Sequence, residues 1–454
     1  MRALVVGGGI AGLAAAHALV RAGVAVTLVE AESRLGGKIA TEQVDGFLVE
    51  RGPDAFLTTR PSALALAHEL GLSGEVTAPT EPHGVFLWYR DRLVPIPEGS
   101  GFGIPARVLP FAMSGLFSPR EKLRAALDIV LPARAVAGDE SIGAFLRRRF
   151  GDAVVDRLAG PLISSVYGAS VDELSLDALM PRLREAQLRH RSLILAGRAA
   201  RRANGAPSVP LLVTLSRGMG SLVDALAARL ARTDLRLGAR VARVERGRGR
   251  YLARLEGGAS VEADVVVLAT PASAAARALA SLSPAASEAL ASIVCRGTAA
   301  ISLGYAESQL PAPLAGHGFI VSDETLAIAA CTWSSAKWPG RAPAGAVLVR
   351  ATVRDERLIA RGDDALVDAA HAALARALRI VGRPVLARVA TWAGAMPRYT
   401  VGHLERIAAA EAALASAPGI VLAGAAYRGS GVPDCIVQGE VAAARVLAVE
   451  GVAA

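Results

Sequence analysis

From its first residues the chain sorts itself by periodicity. Residues 3–6 are an unbroken apolar run, a glycine cluster follows, and apolar positions then recur at helical spacing to about Ala22, where Gly23 is placed to stop a helix. A second apolar run, 24–29, ends on Glu30, so the opening predicts strand, helix, strand. Residues 47–50 read as a further strand, 61–70 as a helix, and 85–97 as a hairpin with Tyr89 to Arg92 at its turn. Between 101 and 134, Pro breaks alternate with amphipathic helix. A capped helix is expected over 141–158, apolar continuation over 161–167 and helix over 181–202, followed by an Ala/Gly/Pro linker. Residues 215–222 open a helix ending near Arg232, 235–244 read as a strand, 251–255 and 260–262 as a hairpin, and 263–271 as an apolar parallel strand. Strands dominate 295–400 (299–305, 318–322, 326–332 and 346–353), with a helix over 363–379. The chain closes with a strand at 419–423 and a helix from Val432 to about Val449, Pro433 suiting its first turn. The expected class is α/β: a Rossmann-like dinucleotide-binding domain assembled from 1–79, 206–294 and 391–454, a helical lobe over 80–205, and a mixed-sheet domain over 295–390.

Glycine spacing carries the chemistry of the opening. Gly7, Gly9 and Gly12, with Gly8, Ile10 and Ala11 between them, form GxGxxG at a strand-to-helix junction. Gly7 serves the tight turn, Gly9 the approach of backbone to a pyrophosphate, and Gly12 the close packing of helix on strand. The helix N-terminus offers partial positive charge to phosphates, and Glu30, roughly 20 residues on, is placed to accept hydrogen bonds from an adenosine ribose. Directly after it, Arg34-Leu35-Gly36-Gly37-Lys38 offers a cation and unhindered amides to a second part of the same dinucleotide. FAD-binding folds carry such a turn; a nicotinamide enzyme has no use for it. At Gly52-Pro53-Asp54-Ala55, Gly52 leaves room for a flat ring, although an ordinary tight turn reads the same way. The helix starting at Val432-Pro433-Asp434 returns a second helix N-terminus to the site, where it would stabilise negative charge on a flavin ring. FAD is therefore the expected cofactor and electron acceptor.

Composition changes this picture little. A chain of 454 residues implies two or three lobes, and with 52% hydrophobic but only 4% aromatic residues, Ala, Leu and Val must fill the core. The formal charge of +9 is carried almost wholly by Arg, since Lys occurs only at 38, 122 and 337. That excess suits an acidic substrate or an anionic membrane surface, but no basic run interleaved with aromatics points to nucleic acid. The Phe-bearing amphipathic stretch with Arg107, Arg120, Lys122 and Arg124 would rest on a membrane, line an apolar tunnel or pack as a plain helical lobe. Cys295, Cys331 and Cys435 are far apart, so a reducing compartment and no disulfide framework are expected. The first strand starts at once, which predicts no leader, and no apolar run reaches the ~20 residues of a membrane span. Dispersed His residues suggest no metal, and no GxSxG turn suggests a hydrolase.

Seven motifs also stand in order along the chain: GGGIAGL from Gly7, RLGGK from Arg34, ERGPDAFL from Glu50, HRSLIL from His190, ACTWSSAKWP from Ala330, MPRYTVGHLERI from Met396 and YRGSGVPDCIVQGEVAA from Tyr427. Together they resemble the oxygen-dependent protoporphyrinogen/coproporphyrinogen III oxidases, over nearly the entire chain. The first two motifs are shared with amine oxidases and carotenoid desaturases; the last three are more specific. The resemblance implies the FAD-binding fold of the amine-oxidase/glutathione-reductase-like superfamily and a non-covalent FAD. It implies oxidation of a porphyrinogen to a porphyrin in haem biosynthesis, with electrons passed to O2 as hydrogen peroxide.

By motif match, the FAD contacts are Gly7 through Gly12, Glu30, Ala31, Arg34, Gly37, Lys38, Gly52 through Ala55, Val432, Pro433 and Asp434. Val241, in the strand 238–244, would meet adenine through its backbone, and Trp392 would wall the ring. On the substrate side, Trp338 would stack on the macrocycle or simply fill the core, and Arg60 would pair with a propionate or remain solvated. Tyr167 lies in a segment that reads Tyr-Ala-Gly-Asp in the family; here it is Tyr167-Gly168-Ala169-Ser170, without the acid. No catalytic acid or base is identified. The implied partners are a tetrapyrrole, coproporphyrinogen III before protoporphyrinogen IX, O2, and the next haem-pathway enzyme as recipient. The implied place is the cytoplasm, with peripheral contact at the inner membrane face. Two rivals stay open: another flavin oxidase of this fold, and a prenyl-lipid carrier that binds no flavin.

Overall fold

A computed structural model describes residues 1–451 except 83, 106, 134–136, 205–209, 248 and 324. The linker expected after Arg202 and the boundary at 205/206 fall outside the described residues. At the centre is a five-stranded parallel sheet in the order Asp234–Arg236, Ala25–Val29, Arg2–Val6, Val265–Leu268, Ile420–Leu422. Its middle strands are apolar on both faces because both are covered. Helix Ile10–Arg21, helix Gly220–Arg229 and the closing helix Val432–Gly451 pack on one face. The three-stranded antiparallel sheet Val241–Arg246, Tyr251–Leu255, Ser260–Ala263 packs on the other, with the helices over 272–291.

The Ala richness has a local cause. The first helix and the closing helix lie so close that a Cβ on Gly439 would meet the Ala11 carbonyl oxygen at 2.2 Å, and Ala11, Ala14 and Ala15 are the residues small enough to allow it. The two ends of the chain are thus one packed unit.

The second sheet has seven strands in the order Leu386–Pro397, Cys295–Ala306, Ala346–Val353, Ala330–Thr332, Gly318–Val321, Val85–Trp88, Leu93–Pro95. It is mixed, because Gly318–Val321 runs parallel to Val85–Trp88 while its other neighbour is antiparallel. Ile301, Leu303, Val349, Ala351 and Val353 point to one face, beneath helix Asp363–Leu378. By alternation Arg350 points to the other, toward the nucleotide-binding body. The hairpin expected over 85–97 is formed by Val85–Trp88 and Leu93–Pro95 and joins the seven-stranded sheet although the segment 80–205 was assigned to a helical lobe, and strand Leu386–Pro397 crosses residue 390, where a domain boundary was expected.

Four element expectations are corrected. The strand expected over 235–244 is two strands in different sheets, Asp234–Arg236 and Val241–Arg246, because Gly238 turns the chain at φ +64°. The helix expected over 141–158 ends at Phe150, where Gly151 adopts φ +83°. That over 181–202 breaks at Arg191, which takes φ +63° between Pro181–His190 and Leu193–Asn204. The strand expected over 326–332 is only Ala330–Thr332.

The helical lobe has its own apolar core around Phe145, Leu146, Phe150, Leu158 and Ile163. A buried ion pair sits in it: Arg149 Nε donates to Asp128 Oδ1 at 2.5 Å, while Asp128 Oδ2 accepts from Ser192 Oγ at 2.5 Å and the Ile194 amide at 3.0 Å. Arg149 also donates to the Arg191 carbonyl at 2.7 Å. The HRSLIL motif is therefore a structural clasp.

Candidate functional site

The opening strand delivers the glycine loop to the carboxyl edge of the parallel sheet, where open α/β sheets bind nucleotides. Each glycine has a distinct reason. Gly7 adopts φ +105° and a Cβ there would lie 2.5 Å from the Ala269 carbonyl; a Cβ on Gly12 would lie 1.9 Å from that of Gly7. A Cβ on Gly9, the N-cap of the first helix, would meet nothing within 4 Å. Open space in front of a helix N-terminus is what a pyrophosphate requires. Glu30 is buried and already engaged: Oε2 accepts the Gly8 amide at 2.6 Å and Oε1 the Glu32 amide at 2.8 Å, leaving a second lone pair on each oxygen for a ribose. The Ala239 amide donates to the Glu30 carbonyl, which brings the start of strand Val241–Arg246 alongside Glu30 and Ala31.

The RLGGK turn closes over this loop. The Gly36 amide donates to the Gly8 carbonyl at 2.8 Å, and a Cβ on Gly37 would stand 3.2 Å from Gly9 Cα. Arg34 is not the free cation the sequence suggested. It donates to the carbonyls of Leu35, Gly37 and Ile39 and lies over the Trp392 ring, because its own turn presents carbonyls within reach. Lys38 is the cation that remains available: its Nζ donates to the Ala395 carbonyl and has no carboxylate partner among the described residues. Burial pushes the Lys38 ammonium below its usual value, opposed by the thiols of Cys435 and Cys295.

The turn at Gly52 backs onto this lysine, since a Cβ there would sit 1.9 Å from the Lys38 carbonyl oxygen. Asp54 points toward the second sheet's domain. Its carboxylate meets Arg350 at 3.2 Å and Lys337 at 3.5 Å and accepts from Trp338 Nε1 at 3.0 Å. Arg350 also donates to the Gly52 carbonyl at 2.6 Å. Burial alone would raise the Asp54 carboxyl, but Lys337, Arg350 and the Trp338 indole outweigh it and hold it well below the usual carboxylate range. Trp338 is 1% exposed, so no face is left for a macrocycle; it supports the Asp54 turn. Trp392 donates from Nε1 to the Arg51 carbonyl at 2.8 Å and stays partly exposed beside Arg34.

The closing helix supplies the last wall. Gly431 N donates to Asp434 Oδ2 at 3.2 Å, Ser62 Oγ to the Pro433 carbonyl at 2.8 Å, and Arg60 pairs with Asp434. Arg60 and Tyr167 are near enough for the Arg60 charge to act on the phenol, against the upward push of burial. Sequence reasoning missed Arg350, Lys337 and Tyr399. The Tyr399 hydroxyl donates to the Ala425 carbonyl and accepts the Gly429 amide, both at 2.8 Å, and so braces the loop before the closing helix. Thr270 was also missed; its buried hydroxyl, beside Gly7, has no hydrogen-bond partner among the described residues.

The family model described as flavin containing amine oxidoreductase matches residues 10–447. The chain belongs to that family. Among curated relatives it is 40% identical to a coproporphyrinogen III oxidase of Propionibacterium freudenreichii, covering 95% of this chain and 88% of the relative. It is 37% identical to that of Bacillus subtilis, covering 98% and 97%. A solved structure, a candidate protoporphyrinogen oxidase from Exiguobacterium, superposes with a TM-score of 0.87 at 32% identity, covering 99% and 98%. Putrescine oxidase, at 18% identity and a TM-score of 0.70, shares the fold.

The cofactor of this flavin oxidoreductase is FAD. The residues present fit it: open space at Gly9 before a helix N-terminus and, among the described residues, a buried Lys38 without a counter-anion and a Thr270 hydroxyl without a partner. Burial lifts the Cys435 thiol to about 11, which disfavours its thiolate.

Proposed function

We propose that the protein oxidises a porphyrinogen to its porphyrin in haem biosynthesis, with coproporphyrinogen III as the substrate and FAD, held without a covalent bond, as cofactor. The carrying observation is the conjunction of a complete dinucleotide cradle with near full-length similarity to coproporphyrinogen III oxidases. Bound FAD supplies a two-electron acceptor that O2 can reoxidise. The chain's own residues bind and orient. The glycine loop and Lys38 would hold anionic parts of the cofactor, the closing helix would offer its N-terminus to negative charge on it, and the Gly52 turn, held from the second sheet's domain through Arg350, would support it. Arg60 and Tyr167 stand on the substrate side, Arg60 exchanging Asp434 for a substrate carboxylate. A general base is not required, because pyrrole nitrogens of an electron-rich macrocycle assist loss of hydrogen from a bridging carbon.

The test is the initial rate of porphyrin fluorescence with each porphyrinogen under air. Coproporphyrinogen III should be oxidised well above its spontaneous rate, with six electrons leaving each macrocycle as about three hydrogen peroxide per porphyrin; a rate no faster than the protein-free control rejects the assignment. A carrier of the same fold would purify colourless, whereas this protein should purify yellow and release its flavin on denaturation.

No helix among the described residues is long and apolar enough to cross a membrane. Peripheral contact is a separate part of the proposal, supported by Leu109 and Met113 at 69% and 77% exposure, followed in sequence by the basic residues Arg120 and Lys122 of the next helix. Co-sedimentation with anionic but not neutral vesicles is expected, and Met113→Asp should abolish it.

A further inference from the structure

The side of the seven-stranded sheet that faces the rest of the molecule is lined by small residues. Strand Ala346–Val353 turns Val349, Ala351 and Val353 toward helix Asp363–Leu378, so by alternation Arg350, Thr352 and, one residue past the strand, Arg354 face the other way. Arg350 reaches the Gly52 carbonyl of the nucleotide-binding body, and Arg354 reaches the carbonyls of Ser164 and Ser165 in helix Gly160–Tyr167 of the lobe. Thr352 is in register with Ala300 and Ala330 on its two neighbouring strands, while Thr298 donates to the Val353 carbonyl at 3.2 Å and is in register with Trp392. Thr298, Ala300, Ala330 and Thr352 stay partly exposed although two bodies stand over that side. Between Trp392 and the lobe helix the sheet is thus floored by side chains too small to fill the space, which leaves room for a flat body.

Arg354 is the charge at the edge of this floor. Other largely buried arginines have an acid at hand: Arg149 meets Asp128 at 2.5 Å, Arg350 meets Asp54 at 3.2 Å and Arg341 meets Glu50 at 3.6 Å. Among the described residues Arg354 makes no ion pair, and its two hydrogen bonds leave three of its five N–H donors unused. Burial pushes its guanidinium down to about 10, with no carboxylate to oppose the push, and it remains charged at neutral pH. The carbonyls that end a helix offer a cation only partial negative charge, far less than is needed to offset burying it unpaired. A fold tolerates such a mismatch where a ligand completes it. The same helix ends in Tyr167, whose phenol lies within reach of the Arg60 charge, so arginines from the nucleotide-binding body and from the sheet converge on the end of one helix.

We infer that Arg354 receives a carboxylate of the substrate and so anchors the macrocycle on the floor between Trp392 and the lobe helix. The inference rests on the function proposed above and requires only one carboxylate. It assigns the pairing to a guanidinium that is desolvated before the substrate arrives, so the attraction is not screened as it is at Arg60, whose side chain is 50% exposed. Three free N–H groups allow charge-assisted, bidentate geometry without giving up the two bonds to the lobe.

The experiment measures binding of coproporphyrin III and of its tetramethyl ester, in the same mild detergent, to flavin-loaded wild type, Arg354→Gln and Arg354→Lys by porphyrin fluorescence, with bound-flavin absorbance and melting midpoint as checks on the fold. Gln keeps a neutral donor for the lobe carbonyls, and Lys keeps the charge. Arg354→Gln should bind the free acid about tenfold more weakly, at the lower end of what a hydrogen bond between charged groups is worth, and should bind the ester as wild type does. Arg354→Lys should recover part of the loss. In turnover, Arg354→Gln should raise KM for coproporphyrinogen III by a similar factor. Equal losses on acid and ester would make Arg354 a brace for the lobe helix, and equal affinities throughout would place the carboxylate elsewhere; either overturns the inference, while wild-type turnover leaves the porphyrinogen reading intact. A wild type that oxidises neither porphyrinogen faster than the protein-free control overturns both.

Discussion

Asp54 ties the Gly52 turn to the second sheet's domain through its carboxylate. Its carboxylate collects Lys337, Arg350 and the Trp338 indole, all from the second sheet's domain, and so pins the Gly52 turn from behind. Asp54→Asn keeps the shape and an acceptor for Trp338 but strands two cations, and breaking such a buried cluster costs about 3 kcal/mol. Because the Asp54 carboxyl is held below its ordinary value of about 3.9, its stabilisation is complete above that value and is lost as pH falls beneath it. Urea unfolding of wild type and variant should thus differ by a constant amount from about pH 6 to 8 and converge below about pH 4; a difference that grows in acid would contradict the pairing. The glycines were legible in the sequence because backbone constraint follows from spacing, and Gly7, Gly9 and Gly12 each do what spacing implies. Arg34, Asp54 and Trp338 were not, because residue type tells what a side chain can bind but not which way it points. The decisive partners of Asp54, Lys337, Trp338 and Arg350, lie about 300 residues further along the chain.

Elements were legible where periodicity was unbroken: the glycine-loop helix, the parallel strands and the closing helix lie where apolar spacing puts them. They were misplaced where one residue with positive φ, Arg191 or Gly151, splits an otherwise continuous helical pattern. Arg191 is the more telling, since its carbonyl is drawn inward to accept from Arg149. In the lobe, Asp128 caps this arrangement by holding Ser192 and Ile194 at the start of helix Leu193–Asn204. Asp128→Ala leaves Arg149 buried without an anion, so a loss of about 3–5 kcal/mol is expected. It should be confined to the lobe: hydrogen exchange should quicken over helices Ile142–Phe150 and Leu193–Asn204 while bound flavin absorbance is retained. Loss of flavin before any change in the lobe would show that lobe and cofactor site are more tightly joined than their separate cores imply.

In the whole molecule the two ends of the chain form one packed body that carries both proposed halves of the cofactor site. The glycine loop lies on the first helix, the last wall on the closing helix, and these two helices are packed backbone to backbone at Ala11 and Gly439. Binding FAD must therefore stabilise the body as a unit and not one lobe. At a free concentration 100 times its dissociation constant, a ligand of the native state adds about 2.7 kcal/mol. With an unfolding entropy of about 2.1 cal/mol/K per residue, a chain of 454 residues should gain roughly 3 °C in midpoint. Gly9→Val separates this linkage from ordinary packing. A Cβ at Gly9 meets nothing within 4 Å, so the flavin-free variant should melt where the flavin-free wild type does. Its side chain occupies the space before the helix N-terminus, where the pyrophosphate belongs, so added FAD should no longer move its midpoint. Calorimetry of both proteins, stripped and reloaded, decides it. A variant that still gains the full shift would mean that the cofactor's phosphates lie elsewhere, whereas a stripped variant already several degrees less stable would mean that the space at Gly9 belongs to the protein's own packing.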